Sequence, residues 1–285
     1  MRKSTFLTMA IAMVLAAFTF SCKQQEATPS TPIKTLSEAM KTKLWKIGIN
    51  PTVAEFINQK NPITNEVTPG WLFGGDMFVA ENKIDDLFGG EVAMNGLTGE
   101  QYRTSNLVSV NGSRTISVIG YTGSGYALTS RMRTGLQWAI NNYNRLNISL
   151  NFTLSFAAST NADIVVYNNG ASGGGGSAGF PTGGNPYKWV QINAGTDGFS
   201  TNVNEHVIGH EIGHCLGFRH TDYFNRSISC SSGGNEGSAG VGAIHIPGTP
   251  TTNVNNTTSL MLACFNSGVD GEFTSSDVTA LEYLY

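Results

Sequence analysis

The stretch HEIGHCLGFRHTD, residues 210–222, carries three of the five histidines of this 285-residue chain. His210 and His214 are four residues apart, and His220 follows six residues later, beyond Gly217. On a helix, residues four apart are separated by about 40° and lie one turn apart on one face. Two imidazoles at this spacing can bind one metal ion, and a glycine turn lets His220 return as a third ligand. The stretch therefore predicts a helix that ends at Gly217 beside a site with three histidine ligands.

Glu211 directly follows the first of these histidines and points away from the metal axis. Three protein ligands with one open position are typical of a catalytic zinc site. A carboxylate beside that position can take a proton from a water that attacks a carbonyl and pass it to the leaving amine. The pattern thus predicts Zn²⁺ as the cofactor and Glu211 as the general base. The alternative is a core helix with incidental histidines, and the H-E-x-x-H pattern extended by G-x-x-H argues against it.

His206 lies one turn before His210 and faces the same side. Along the helix axis it is about 12 Å from His214, which is too far for the two to share one ion. We expect His206 to be a packed or supporting residue and not a ligand. At the start of this helix, Asn202 followed by Glu205 predicts a capping box.

The first residues have the composition of an export signal. Arg2 and Lys3 precede the short apolar run FLTMAIAMVLAAF, which is followed by TFSC ending at Cys22. A cysteine at this place resembles the lipobox of bacterial lipoproteins, which implies a signal peptide over residues 1–22 and a lipid on Cys22. Residues 23–34 are polar and proline-containing, as in a tether. The predicted location is the bacterial cell envelope, at the outer membrane or cell surface; ordinary cleavage nearby, with secretion, is the alternative.

Charge and cysteine content limit the other partners. The net charge of −3 gives no reason to expect nucleic acid as a partner. After Cys22, the remaining cysteines are Cys215, Cys230 and Cys264, so at least one thiol stays free. Cys215 lies on the apolar side of the predicted helix, and Cys230 with Cys264 is the preferred disulfide, although sequence does not fix the connectivity.

The pattern becomes regular in the second third of the chain. Residues 35–102 are mixed and contain turn signals such as TPG, FGGD and LFGG. Residues 115–121 and 148–156 look like strands, and residues 127–146 show helical spacing of apolar residues. Further short strands and a glycine-rich loop over residues 171–187 precede the histidine helix. This order predicts an α+β domain over residues 103–285, preceded by an N-terminal pro-like region, residues 35–102.

The sequence HEIGHCLGFRH resembles the metzincin zinc signature, H-E-x-x-H-x-x-G-x-x-H. TSLMLACF then places Met261 in a position similar to the metzincin Met-turn, and FTSSDVTALEYLY resembles the C-terminal helix, with Ser275 or Ser276 as its cap. The form HEIGH followed by RHTD is most similar to the bacterial HEIGH metallopeptidases of peptidase family M57. This resemblance implies a metzincin-like fold with a mixed twisted sheet, an active-site helix, a Met-turn and a C-terminal helix. Met261 and Gly217 would support the site.

The resemblance implies a zinc metalloendopeptidase that acts on peptides or proteins, and we expect a monomer. Two positions depart from related families: Ala263 stands where astacins and serralysins have a zinc-binding tyrosine, and Thr221 follows the third histidine. No tyrosine ligand is therefore expected from position 263. Two alternatives stay open, a surface binding module with a structural zinc and a zinc hydrolase of non-peptide substrates.

The segment FGGD, residues 73–76, resembles the F-x-G-D motif whose aspartate caps zinc in astacin pro-segments. The resemblance implies that Asp76 is a latency ligand, because a carboxylate oxygen can be a fourth zinc ligand. No cysteine lies between residues 23 and 214, so a thiolate from this region cannot block the metal. The alternative is that Asp76 only ends a turn before the strand-like MFVA.

Overall fold

The computed structural model describes residues 35–46, 51–84, 99–237, 243–251 and 258–285. All of these belong to one compact unit, Lys34–Tyr285. The predicted signal peptide, Cys22 and the tether lie outside the described residues. Within the described ranges, every helix is too short or too polar to cross a membrane.

A five-stranded mixed sheet forms the centre of the unit. Its strands are β5 (Arg114–Tyr121), β6 (Leu150–Ala157), β7 (Ile164–Asn168), β8 (Gly176–Ser177) and β9 (Trp189–Ile192). Their order is β6-β5-β7-β9-β8, with parallel pairing throughout except for β8, which is antiparallel to β9 at one edge. The predicted α+β class is confirmed.

The short edge strand β8 lies inside the segment for which the sequence predicts a flexible loop. Gly176 pairs with Ile192 and Ser177 with Gln191. Glycine is depleted in strands, so composition argues for a loop. An edge strand needs only main-chain partners on one side, and β9 supplies them here.

Two helices cover the sheet. The helix α2 (Ser130–Asn144) begins after Thr129, whose side chain accepts from the amide of Met132, and it buries the apolar stripe that the helical spacing predicts. The helix α3 (Thr201–Leu216) is buried on all sides from Val203 to Leu216. An amphipathic stripe is sufficient for α2, whereas α3 lies in the interior and carries the histidine motif into it.

Shorter elements complete the unit. The strands β4 (Tyr102–Arg103), β10 (Phe218–Arg219) and β11 (Ile244–His245) form a small antiparallel sheet with β4 in the middle. The helix α4 (Ser227–Cys230) follows β10, and the described chain ends in α5 (Ser275–Leu284).

The cap of α5 differs from the expectation. Its N-cap is Thr274, not Ser275 or Ser276, and a capping box joins Thr274 to Asp277. Both predicted serines are compatible with a cap by type. Only Thr274 has Asp277 three residues later to complete the reciprocal bond.

The N-terminal region is more regular than its sequence indicates. After the helix α1 (Glu38–Lys46), the strands β1 (Ala54–Lys60), β2 (Val67–Phe73) and β3 (Met77–Ala80) form an antiparallel sheet in the order β1-β2-β3. This sheet has its own small core, which also includes Phe180.

The pair Pro69–Gly70 normally indicates a turn, so the sequence does not predict the strand β2. β3 pairs only with Gly70–Phe73, so Pro69 lies where β2 has no second neighbour and its missing N–H costs no ladder bond. A Cβ on Gly70 would lie 2.5 Å from the Phe78 ring, so glycine is needed for the packing of this sheet.

Candidate metal centre

The N-terminus of α3 is capped by Ser200, whose side chain accepts from the amide of Val203. The predicted capping box of Asn202 and Glu205 is therefore wrong. Glu205 is buried and accepts a hydrogen bond of 2.7 Å from the side-chain amide of Asn142 on α2. Packing between the two helices takes Glu205 away from the cap.

The C-terminus of α3 is the turn that the sequence predicts. Gly217 has φ of 110°, in the left-handed region, and its amide donates to the carbonyls of Gly213 and His214. A Cβ at Gly217 would also lie 2.8 Å from the Leu107 side chain. The chain reverses here and returns through β10, which brings His220 to the side of α3 that carries His214.

Four side chains come together as a group that could hold a metal ion. They are Asp76, His210, His214 and His220, and their ligand atoms all lie within 4.8 Å of one another. Nε2 of His214 and Nε2 of His220 are 3.2 Å apart. The three histidines predicted as ligands are thus placed around one point.

The orientation of the two helical histidines is fixed by main-chain carbonyls. Nδ1 of His210 lies 2.8 Å from the carbonyl oxygen of Leu260, and Nδ1 of His214 lies 2.8 Å from that of Phe218. A carbonyl only accepts, so Nδ1 donates and the lone pair of a neutral ring is on Nε2. Both lone pairs point into the shared site, where they would repel each other unless a cation lay between them. This donor set fits a metal ion.

The third histidine has a carboxylate partner. Nδ1 of His220 lies 2.8 and 2.9 Å from the two carboxylate oxygens of Glu236. Glu236 is a site residue that sequence analysis missed, because the loop around it has no periodicity. One signal was available, since Glu236 is the only acidic residue between Asp222 and Asp270.

Burial and charge give the three rings different protonation properties. Burial, together with the neighbouring His220, lowers the pKa of His210 to about 4, and burial lowers the pKa of His214 well below its usual value. Burial alone would also lower the pKa of His220, but the carboxylates of Asp76 and Glu236 raise it to about 10. At neutral pH, His210 and His214 are therefore neutral, as a metal ligand must be, and a metal ion bound at Nε2 of His220 would displace the proton that this atom shares with Asp76.

Glu211 has a carboxylate oxygen with an unfilled hydrogen-bonding capacity. The residue is 2% exposed, and among the described residues its Oε2 has no hydrogen-bond partner. Burial, and then the charge of Asp76, raise the pKa of Glu211. A Cβ on Gly176 would lie 2.9 Å from Oε1, so the glycine edge of β8 leaves room for this carboxylate. An orphaned buried oxygen beside three histidines is suited to hold a water or a substrate group.

Glu211 opens onto a cavity of about 270 Å³ in front of the histidines. Its other lining residues include Gly74, Asp76, Gly176, His206, Leu262 and Phe265. His206 is buried, with its ring centroid 6.3 Å from that of Phe265, and it is outside the metal-binding group. Burial, and then His210, lower its pKa to about 3, so His206 forms a neutral part of the cavity wall.

Asp76 reaches the site from the turn between β2 and β3. The carbonyl of Asp76 accepts from the amide of Ala178 at 3.1 Å, and the amide of Phe78 donates to the carbonyl of Ala178 at 3.1 Å. These two bonds hold the Asp76 segment beside Ala178, the residue that directly follows β8. Oδ2 of Asp76 then lies 3.0 Å from Nε2 of His220. The residue that the pro-segment resemblance singled out is thus in contact with a predicted ligand.

Met261 packs against α3 at Gly213. A Cβ on Gly213 would be 2.5 Å from the Met261 sulfur, so glycine is needed for this approach. The Met261 carbonyl accepts from the amide of Thr221, next to His220, at 2.7 Å. Asp277 braces the same turn from α5, since its carboxylate accepts from the amide of Leu260 at 3.1 Å. No pattern in the sequence indicates this role of Asp277.

A disulfide joins Cys230 and Cys264, the pair preferred from the sequence. It links the end of α4 to the turn after Met261, where Cys264 lines the cavity. Cys215 is fully buried and free, and burial raises the pKa of its thiol. Its placement on the apolar side of α3 agrees with the sequence.

The chain is similar to one known protein family and to several solved structures. The model of the family described as dual-action HEIGH metallo-peptidase, peptidase family M57, matches residues 72–285. Among solved structures, the chain is similar to the "Structure of myroilysin", with 14% identity, a TM-score of 0.39, and coverage of 63% of this chain and 96% of that one. A "Crystal structure of myroilysin" has 15% identity and a TM-score of 0.37, with coverage of 61% and 83%. No curated protein sequence matches significantly.

Proposed function

The chain belongs to the HEIGH metallopeptidase family, M57, and from that premise we propose that it is a zinc-dependent endopeptidase with Glu211 as its general base. The membership confirms the predicted resemblance and makes the chain a metallopeptidase. The zinc and the residue roles are proposed here. The observation that supports them is the convergence of three Nε2 atoms beside the unpartnered oxygen of Glu211.

The ligand atoms favour zinc among the common ions. Calcium and magnesium take oxygen ligands in sites with six or more positions. Three imidazole nitrogens and an optional carboxylate suit a four-coordinate borderline ion such as Zn²⁺. His210, His214 and His220 would hold it.

The residues of the chain divide the remaining chemistry among them. When bound, the cation supplies Lewis-acid polarisation and lowers the pKa of a water toward about 7. Glu211 would accept the proton of the attacking water and return it to the amine of the leaving product. The cavity in front of Glu211 gives a peptide room to bind, and Glu211 itself is almost fully shielded from solvent.

This function is tested by metal removal. The full-length protein, treated with a chelator until it is metal-free, is expected to leave a mixed peptide library intact. Reloading with Zn²⁺ is expected to produce new internal N-termini, which mass spectrometry detects. Cleavage by protein shown to contain no metal would contradict the proposal. If the precursor is inactive, the Asp76→Ala variant described below is assayed in parallel, and inactivity of both with Zn²⁺ bound would also contradict it.

Glu211 separates this proposal from its alternatives. A structural zinc site closes with four protein ligands and needs no base. Asp76 does supply a fourth group in this arrangement, but a structural role leaves the buried, unpartnered oxygen of Glu211 without a purpose. A hydrolase of non-peptide substrates would use the same groups, and the family membership favours peptides.

We further propose that Asp76 keeps the precursor latent. Its carboxylate is within the metal-binding group, and its segment occupies the edge beside β8. A carboxylate in the fourth ligand position would leave no place for the attacking water. Residues 35–102 would then be an inhibitory N-terminal region, with residues 103–285 as the peptidase domain. The family match begins at residue 72, so the Asp76 segment lies within the matched range.

The Asp76→Ala variant is expected to show severalfold higher peptidase activity than the uncleaved wild type, because the fourth position becomes open. It should also bind the small chelating ligand acetohydroxamate more tightly, as measured by calorimetry on zinc-loaded protein. Glu55→Ala is the control, since it removes an exposed negative charge from the same N-terminal sheet away from the site. Equal hydroxamate affinity in the wild type and Asp76→Ala would reject Asp76 as a latency ligand.

The location of the protein is proposed from the N-terminal sequence. A signal peptide over residues 1–22, a lipid on Cys22 and a tether over residues 23–34 would anchor the peptidase to the outer membrane or cell surface. Lipid on that thiol would supply the membrane affinity. The Cys22→Ala variant is expected to move from the membrane fraction to the soluble fraction and to lose incorporation of labelled fatty acid. Unchanged partition with no label in the wild type would contradict a lipid anchor.

A further inference from the structure

Glu236 provides a buried carboxylate directly behind the third histidine. Only 1% of the residue is exposed, and both of its oxygens lie within 2.9 Å of Nδ1 of His220. His210 and His214 have main-chain carbonyls in the corresponding place. We propose that Glu236 is the positioning residue of His220, which keeps the proton on Nδ1 and turns Nε2 toward the metal centre. This inference rests on the proposed metal site.

His220 needs such a partner more than the other two ligands do. His210 and His214 are on a buried helix, whose rigid main chain fixes their Cα positions. His220 directly follows the two-residue strand β10 and is itself outside the helices and strands. An outer hydrogen bond that fixes tautomer and ring orientation therefore contributes most at this ligand.

Glu236 is itself held in place from several sides. Its amide donates to the carbonyl of Tyr223 at 2.7 Å. Nη2 of Arg219 lies 3.6 Å from Oε2 of Glu236. Nε of Arg226 lies 3.1 Å from Oε1, close enough for an ion pair but without the geometry of a hydrogen bond. Two guanidinium groups beside this buried carboxylate fix its position, so both of its oxygens stay within hydrogen-bonding distance of Nδ1 of His220.

Arg226, which forms an ion pair with Glu236, also supports the segment that carries Asp76. Arg226 donates to the carbonyl of Gly74, and a Cβ on Gly74 would lie 2.7 Å from the guanidinium and 3.0 Å from Oε1 of Glu236. Gly74 also has φ of 66°, which glycine adopts without strain. Glu236 thus contacts the third ligand on one side and the support of the N-terminal segment on the other.

The test is the affinity of the full-length protein for Zn²⁺, measured by chelator competition. Glu236→Gln keeps the size of the side chain but loses its charge, and its amide group can face Nδ1 and force the proton onto Nε2. The dissociation constant for Zn²⁺ is expected to rise about 10- to 100-fold, the range seen for outer-shell partners. Glu205→Gln is the matched control, since Glu205 is a buried carboxylate of α3 whose partner is Asn142. It should keep the wild-type affinity.

A second measurement separates positioning from a structural role. In the zinc-loaded wild type, the His220 Nδ1 proton should give a downfield NMR signal typical of a bond to a carboxylate. That signal should shift or disappear in Glu236→Gln and remain in Glu205→Gln. A general loosening of the fold would raise the dissociation constant and leave the signal of the folded fraction unchanged, which would overturn the proposal.

A second variant, which retains the negative charge, covers the case in which Glu236→Gln does not fold. If Glu236→Gln does not fold, Glu236→Asp is measured, because it keeps a charge for Arg219 and Arg226 but withdraws from His220. Its dissociation constant should also rise. Wild-type affinity in the folded variant, or an equal rise in Glu205→Gln, would contradict the positioning role. Failure of the wild type to bind Zn²⁺ would instead contradict the proposed function.

Discussion

Replacing Glu211 with glutamine is expected to lower kcat/KM for peptide cleavage by about two to four orders of magnitude, the range that general-base catalysis contributes. Glutamine has nearly the same shape, so the room that Gly176 leaves beside this side chain is still filled. What is lost is the capacity to accept a proton from the attacking water. The three histidines are unchanged, so the zinc content should stay near one per chain.

The measurement pairs initial rates on one cleaved peptide with the metal content of each sample. The Asp76→Ala background is the suitable one if the precursor is latent. Glu205→Gln again serves as a control, because it changes a buried carboxylate of the same helix away from the cavity. Turnover near the wild-type rate would remove Glu211 from the mechanism. Loss of zinc together with activity would make it a ligand or a structural residue.

The His220→Ala variant should lose zinc affinity and activity together. Loss of an outer-shell partner typically weakens metal binding by about 10- to 100-fold. Removal of one of three nitrogen ligands should weaken zinc binding by more than that. Activity measured at limiting zinc should fall in parallel. His206→Ala is the comparison, because His206 is also a buried histidine of this region but lies outside the metal-binding group.

Zinc content after dialysis and chelator competition checks both variants. His206→Ala should keep a stoichiometry near one, and any change in its peptide preference would follow from its place in the cavity wall. A zinc-free His206→Ala protein would overturn the ligand set. Zinc affinity unchanged in His220→Ala would show that the third ligand comes from another residue.

The regular elements of the catalytic half could be read from sequence because their signals are local. The helical spacing of apolar residues predicts α2, and the alternation of apolar and polar residues predicts most of β6. Phe156, near the end of β6, departs from this alternation because it is 40% exposed. The main failure was the N-terminal sheet. Pro69–Gly70 is a local turn signal, but pairing with β1 and packing of Phe78 over Gly70 override it.

The sequence by itself determined the parts of the site that depend on helix geometry and on glycine. The spacing of His210 and His214, the position of Glu211 between them, and the turn at Gly217 all follow from 3.6 residues per turn and from a left-handed φ. These relations hold over one or two turns, so no distant residue can change them.

Only the tertiary structure decided which distant groups complete the site. Asp76 comes from a turn more than 130 residues earlier and meets His220 because its segment pairs with Ala178. Glu236 comes from a glycine-rich loop, and its contact with His220 depends on Arg219 and Arg226, which hold it. Neither contact has a sequence period, because each is set by the packing of the whole domain and not by the local main chain.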